Sequence, residues 1–252
     1  MRCFLDLSYE GTAYHGWQRQ PGSVSVQEVM EDRLSRLLGA ETIVVRCGRT
    51  DTGVHASSFF AHFEWYGAFG DRFSDWDRAA WKLNGMLPPD VGVRRIFEVD
   101  ERAHARFDAT ERAYTYRVHT YKDPFLEGRS TRVYQQLDVE AMNAAAAHLL
   151  FKGSFASFCK TGGGQKTTLC DVRHARWTQV SPTEFEFSIV SDRFLRNMVR
   201  AVVGTLLDVG RGRMSAAEMK EVIASGDRSR AGMSAQACGL YLSRVTYPYL
   251  AP

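Results

Sequence analysis

The sequence lacks the long apolar segments of a membrane protein and the paired cysteines of a disulfide-stabilised one. No apolar run approaches the ~20 residues that a transmembrane helix needs, and Asp6 interrupts the short apolar stretch at the N-terminus, which argues against a signal peptide. The five cysteines are odd in number, widely scattered and without a Cys-x-x-Cys pair, so neither a disulfide framework nor a zinc site is indicated. We therefore expect a cytoplasmic protein without a metal.

Lysine is also scarce, because only six of the 32 basic residues are lysines and the other 26 are arginines. The planar guanidinium of arginine binds phosphate through two hydrogen bonds and stacks on bases, which lysine cannot do. A biased codon usage with ordinary surface solvation explains the same count, and the net charge is only +3. The composition is therefore compatible with an RNA partner without requiring one.

The pattern of strands and helices occurs twice along the chain. In the first half it predicts strands over 3–9, 43–47, 59–65 and 91–99, with one helix from an N-cap at Ser25 to Gly39 and another from Ser74 to about Met86. In the second half it predicts strands over 114–121, 169–180, 184–190 and 240–247, with helices over 138–153, 193–209 and 215–226.

Both halves have the order βαββαβ, and the second contains one extra helix. We predict an α+β fold of two tandem ferredoxin-like halves, residues 1–103 and 104–252, with mainly antiparallel sheets that meet at a central cleft. A cleft between domains is a common place for a binding site.

The segment 46–56 lies in a loop between two predicted strands and contains one acidic residue, Asp51, between Gly48 and Gly53. Arg49 is close enough in sequence to pair with this carboxylate and to keep it ionised, which suits a nucleophile. The local pattern by itself favours an ordinary turn at Thr50 and Asp51. Two histidines nearby, at positions 55 and 62, have no partners at metal-ligand spacing, so we expect structural roles for both.

Two further segments combine aromatic or cationic residues at regular spacing. Tyr114 and Tyr116 point to the same face of a strand, where a tyrosine can stack on an unstacked base or simply pack on the sheet. Arg193, Arg196 and Arg200 would share one face near the start of a long helix, which indicates an anionic partner.

The segment 160–168 is rich in glycine and threonine. It lacks the spacing of a phosphate-binding P-loop, so nucleotide binding is not indicated. A surface loop and a flexible loop that contacts RNA both remain open.

Six motifs in order cover nearly the whole chain and together resemble the TruA family of tRNA pseudouridine synthases. They are residues 9–11 with 16–20 and 25–27, the loop 48–55, residues 84 to 91, residues 104–114, residues 197–200 and residues 239–242. Thr52 stands where the loop of the family usually has alanine, and Glu10 where the opening motif usually has aspartate. Neither difference removes a reactive group, although both weaken any statement about fine substrate preference.

The resemblance implies a cofactor-free isomerisation in which the bond from uracil N1 to the ribose is broken, the base turns and C5 is joined to C1′. By position, Asp51 is the catalytic carboxylate, Arg49 pairs with the acid and helps hold the flipped nucleotide, Tyr114 packs on the target base, and Arg200 neutralises the acid from the other side. The resemblance also implies a homodimer that acts on tRNA, at uridines 38 to 40 of the anticodon stem-loop.

Two alternatives from other classes stay open. The first is a non-catalytic RNA-binding protein with two units like RNA-recognition domains, although the Lys/Arg-Gly-Phe-type motif of those domains is missing. The second is a hydrolase of nucleoside or sugar bonds, for which a second carboxylate beside Asp51 is expected.

Overall fold

The computed structural model describes residues 1–70, 72–160 and 166–250. The described residues form ten strands and five α-helices, which confirms the α+β class. Their bounds are β1 Arg2–Tyr9, α1 Val26–Leu38, β2 Val45–Arg46, β3 His55–Glu64, α2 Trp76–Asn84, β4 Val91–Val99, β5 Glu111–His119, β6 Thr131–Arg132, α3 Val139–Ala147, β7 Lys152–Ser154, β8 Leu169–Ser181, β9 Glu184–Ser191, α4 Met198–Gly210, α5 Ala216–Ser225 and β10 Leu240–Thr246.

The chain divides into two compact units. Unit 1 contains residues 1–110 together with the chain from 242 onward, and unit 2 contains residues 111–241. The predicted division into halves 1–103 and 104–252 stays a prediction. Of the predicted glycine-rich loop, residues 161–165 lie outside the described residues.

In unit 1 the strand order is β4-β1-β3-β10, with β2 paired to β3. The pairs of β1 with β3 and with β4 are both antiparallel. The core of this unit includes apolar side chains of β1 and α1, such as Leu5, Leu7, Met30 and Leu34, none of which is exposed. The loop that contains Asp51 joins β2 to β3.

The helices of unit 1 begin and end largely where local sequence predicts. Ser25 caps α1 by accepting a hydrogen bond from the backbone of Glu28, and Gly39 ends it in the left-handed conformation, with φ of 76°. The predicted start of α2 at Ser74 is wrong, because the neighbouring carboxylate of Asp75 accepts the capping hydrogen bond instead. Asn84 ends α2 before the predicted position and bonds through its side chain to both backbone groups of Val93.

In unit 2 the strand order is β5-β9-β8-β7, and β6 adds to β5 in parallel. The predicted hairpin of β8 and β9 is confirmed. Helix α3 is capped by Asp138 as predicted, but it ends at Ala147 rather than near Gly153. Gly153 instead pairs with Cys170 in the short ladder of β7 and β8.

Helix α4 forms the centre of the unit 2 core, since eleven of its thirteen residues are buried. A side-chain carbon at Gly204 would lie 1.7 Å from the carbonyl oxygen of Met233, so only glycine fits there. Helix α5 has a complete capping box between Ser215 and Glu218, and Gly226 ends it, both as predicted. Among the described residues, none of the helices has the length and apolar character required to cross a bilayer.

Candidate active site

The loop 46–56 leaves β2 at Arg46 and enters β3 at His55. The amide of Val54 donates to the carbonyl of Asp51 at 3.1 Å, which closes a tight turn, and Gly53 within it has φ of 73°. The side chain of Asp51 is half-buried. The loop therefore contains a backbone turn over residues 51–54, and a turn of this kind is compatible with a catalytic role for the carboxylate.

The loop is attached to residues 11–17, which follow β1. The amide of Gly53 donates to the carbonyl of Tyr14, and the hydroxyl of Thr50 is within hydrogen-bond distance of two groups in the segment 9–17. Tyr14 is fixed in turn by a 2.6 Å hydrogen bond from its hydroxyl to Asp90. Burial and this bond to a carboxylate raise the pKa of Tyr14, so the hydroxyl keeps its proton.

The start of the loop carries two arginines, Arg46 and Arg49, and a third, Arg106, acts electrostatically on the first. Burial lowers the pKa of Arg46, and the positive charges of Arg49 and Arg106 lower it further. Arg49 is exposed, and the buried Nε of Arg46 has no hydrogen-bond partner among the described residues. Such a concentration of positive charge favours an anionic ligand.

The two histidines of β3 have structural roles in the described part of unit 1. His55 is buried, and its Nδ1 accepts the amide hydrogen of Gly11 at 2.8 Å. An oxygen of Glu10 lies 3.1 Å from the same nitrogen, and the oxygens of Glu10 also accept hydrogen bonds from Thr12. His62 accepts the amide hydrogen of Ala105 at 3.1 Å.

Burial together with the charges of Arg2 and His104 lowers the pKa of His62 to about 4. At neutral pH the ring is therefore uncharged and accepts the bond from Ala105. This contact holds the start of the segment 104–116 against unit 1.

The predicted tyrosines of that segment differ in environment. Tyr116 is fully buried, and its hydroxyl bonds to Thr131 at 2.6 Å and to the carbonyl of Gln236 at 2.9 Å, so it belongs to the core of unit 2. Tyr114 is half-buried and packs edge-to-face against Phe194, with ring centroids 5.0 Å apart. Of the two, only Tyr114 keeps part of its surface exposed.

The arginine stripe predicted on helix α4 is wrong. The helix begins at Met198, and Arg193 and Arg196 precede it in irregular chain. Asn197 has φ of 63°, which is incompatible with a continuous right-handed helix and which asparagine tolerates better than most residues.

Arg200 alone of the three lies in the helix, in its first turn. Its Nε donates to the carbonyl of Ala235 at 2.7 Å, and the amide of Ala235 donates back to the carbonyl of Arg200 at 2.9 Å. Asn197 binds the hydroxyl of Ser234 beside them at 2.6 Å. The guanidinium of Arg200 is thus held in one orientation by the segment 234–235.

Local sequence does not predict the roles of two further residues. Thr50 anchors the loop next to Asp51, and Phe194 provides the ring that packs against Tyr114. Both roles depend on contacts between residues that are distant in the chain. No group of three or more His, Cys, Asp or Glu side chains suited to a metal occurs in the described parts of the chain.

Comparisons with known proteins agree with this picture. A family model described as tRNA pseudouridine synthase matches residues 145–248. The chain is 45% identical over 247 residues to tRNA pseudouridine synthase A of Bacteroides fragilis, covering 98% of this chain and 96% of the relative. It is 47% identical over 249 residues to the protein of that name from Bacteroides thetaiotaomicron, covering 98% and 91%.

A more distant relative of the same name, from Myxococcus xanthus, is 40% identical over 248 residues, covering 98% of this chain and 92% of the relative. These similarities span both units and include the loop of Asp51, which the family model does not reach. The chain belongs to the tRNA pseudouridine synthase A family.

Proposed function

We propose that this protein, an isomerase that converts uridine in tRNA to pseudouridine, acts on the anticodon stem-loop at uridines 38 to 40. The observation that carries the activity is the similarity to named enzymes over 98% of the chain at 45–47% identity. The motifs of the opening segment and the loop 48–55 support the choice of target, because they resemble those of the TruA family.

Asp51 is the catalytic carboxylate of this proposal. The reaction breaks the bond between N1 and C1′, rotates the uracil and joins C5 to C1′, while C5 loses a proton and N1 gains one. A carboxylate can act as a nucleophile in such a step or stabilise the positive charge that develops at the ribose. The half-buried position of Asp51 in a closed turn supports this role, because a fixed carboxylate needs little reorganisation.

Arg49, Tyr114 and Arg200 are the substrate-binding residues of the proposal. Arg49 is exposed beside two other arginines, which suits contact with phosphates of the RNA backbone. The edge-to-face contact with Phe194 holds the ring of Tyr114 for packing on a base, and the bond to Ala235 orients the guanidinium of Arg200. None of these roles requires a cofactor.

The two alternatives from the sequence are less well supported. A non-catalytic RNA-binding protein does not account for full-length similarity to enzymes of one name. A hydrolase with paired carboxylates is disfavoured for the same reason.

We also propose that the protein is a cytoplasmic homodimer and that residues 1–103 and 104–252 are two ferredoxin-like halves. The dimer is implied by the TruA resemblance. The repeated order of strands and helices supports the two halves. The cytoplasm is where a tRNA-modifying enzyme meets its substrate.

The target positions are tested by mapping pseudouridine with carbodiimide labelling in tRNAs from a strain that lacks the protein. We expect the modification at positions 38 to 40 to disappear and to return when the wild-type gene is restored. A strain that receives the Asp51→Ala variant serves as the matched control and should stay unmodified. Loss of pseudouridine at other positions only would contradict the proposed target.

A further inference from the structure

Thr50 precedes Asp51 in the chain, and its side chain is 8% exposed. Its Oγ1 lies 2.8 Å from the hydroxyl oxygen of Tyr9 and 3.1 Å from the backbone nitrogen of Trp17. A threonine hydroxyl has one donor and two acceptor positions, so it can accept from the Trp17 amide and bond to Tyr9 at the same time. Both hydrogen bonds connect the loop of Asp51 to the segment 9–17.

The backbone of that segment lies directly against the loop. Gly16 has φ of 81°, and a side-chain carbon there would lie 2.3 Å from the carbonyl oxygen of Thr50. At Gly11 such a carbon would lie 2.1 Å from the carbonyl oxygen of Val54. Only glycine permits these two approaches, which lie on both sides of Asp51 in the sequence.

The groups that hold Thr50 are themselves rigid. Tyr9 is the last residue of β1 and is 4% exposed, and Trp17 is fully buried. The ring of Trp17 stacks on that of Phe59 with centroids 4.1 Å apart, and the ring of Tyr9 lies 5.5 Å from the same phenylalanine. The hydroxyl of Tyr9 therefore cannot follow Thr50 if the loop shifts.

We propose that Thr50 is a positioning residue for the isomerisation, because its hydroxyl, held by Tyr9 and Trp17, fixes the backbone from which the Asp51 carboxylate extends. The inference rests on the proposed role of Asp51. Replacing the hydroxyl with a methyl group leaves the shape of the side chain and removes both hydrogen bonds. The loop then loses the anchor next to the carboxylate, while the charged groups that bind RNA are unchanged.

The test compares three variants of the full-length protein in single-turnover reactions at saturating tRNA. Thr50→Val should lower the rate constant roughly 10- to 100-fold, the scale expected when a reacting group is misplaced by about 1 Å. Thr50→Ser keeps the hydroxyl and should stay within about threefold of wild type. Tyr9→Phe removes one partner and should lower the rate in the same direction. The Kd for tRNA should change less than about twofold in all three, since RNA binding depends mainly on phosphate contacts.

The chain offers a matched control in the buried hydroxyl pair of Thr131 and Tyr116 in unit 2. Thr131→Val removes a bond of the same kind and should lower the unfolding temperature in the way that Thr50→Val does, while the rate constant of the folded protein stays at the wild-type level. If Thr50→Val does not fold, the rate constant of Tyr9→Phe is compared with those of wild type and Thr131→Val instead.

Three results would overturn the inference: a wild-type rate for both Thr50→Val and Tyr9→Phe, no recovery in Thr50→Ser, or an equal loss of rate in Thr131→Val. An Asp51→Ala reaction in parallel separates the two proposals. If Asp51→Ala is inactive while Thr50→Val and Tyr9→Phe both react at the wild-type rate, only the inference about Thr50 fails. If Asp51→Ala is active, the proposed role of Asp51 fails.

Discussion

Asp51 and Thr50 are adjacent, but only the aspartate is recognisable as a candidate from the sequence. A carboxylate between two glycines with an arginine nearby has an obvious chemical use, whereas a threonine in the same loop has the properties of a turn residue. The contacts that distinguish Thr50 come from Tyr9 and Trp17, 41 and 33 residues away in the chain. Contacts over such distances depend on the packing of β1 and β3, which local patterns do not specify.

The two histidines of β3, His55 and His62, also have contacts that local sequence patterns do not predict. Spacing alone indicates that neither residue is a metal ligand, but it does not reveal which backbone group each one accepts. The structure gives these partners as the amides of Gly11 and Ala105. For His62 this has a measurable consequence.

We predict that His62 makes the protein less stable in mild acid. Its pKa is about 4 in the folded chain and 6.5 when unperturbed. Between pH 4 and pH 6.5 the unfolded chain therefore binds more protons than the folded chain, so the free energy of unfolding falls as the pH falls. One pKa unit corresponds to ~1.4 kcal/mol, and the loss approaches roughly 3 kcal/mol near pH 4. The charged and titratable groups that act on this ring are Arg2, Glu64, His104 and Asp108.

Urea unfolding between pH 4 and pH 7.5 measures this effect. His62→Asn keeps an acceptor at the position of Nδ1 but cannot be protonated, so its stability should depend less on pH. The exposed His148 provides a control, because His148→Asn should retain the wild-type pH dependence. Identical slopes for wild type and His62→Asn would contradict the prediction.

At the scale of elements, the ends of helices follow the sequence where the signal is local. Capping by Ser25, Asp138 and Ser215 is visible as a polar residue before an apolar repeat. The start of α4 is not visible in this way, because the apolar and cationic pattern from Arg193 to Arg200 has helical spacing. The left-handed conformation of Asn197 interrupts it, and the tertiary bond to Ser234 favours that conformation.

Gly204 provides a test at this scale. Alanine normally stabilises a helix relative to glycine by up to about 1 kcal/mol. Because a methyl group at this position would meet the backbone of Met233, Gly204→Ala should instead destabilise the protein by about 1–3 kcal/mol. Chemical unfolding measures the difference, with Gly85→Ala as the control, since Gly85 has helical φ and only ordinary contacts. Equal stability of the two variants would contradict this account of α4 packing.

At the scale of the whole molecule, hydrophobic periodicity predicts the α+β class and most strands in the correct order. It does not predict that the last strand, β10, lies beside β3 in unit 1, because strand pairing is a long-range property. Assignment of the function requires even more information beyond local physical patterns. Six motifs in order indicated the family, and similarity over 98% of the chain confirmed it.

The central claim is that Asp51 performs the isomerisation, and the most direct test follows the proton lost from C5. Transcribed tRNA with tritium at C5 of uridine releases tritium to water as pseudouridine forms. Wild-type protein should release it from positions 38 to 40, while Asp51→Asn should react at least roughly 1000-fold more slowly, because the amide keeps the shape but lacks the charge. Its Kd for tRNA should remain within about threefold of wild type. Tritium release by Asp51→Asn at the wild-type rate would contradict the account.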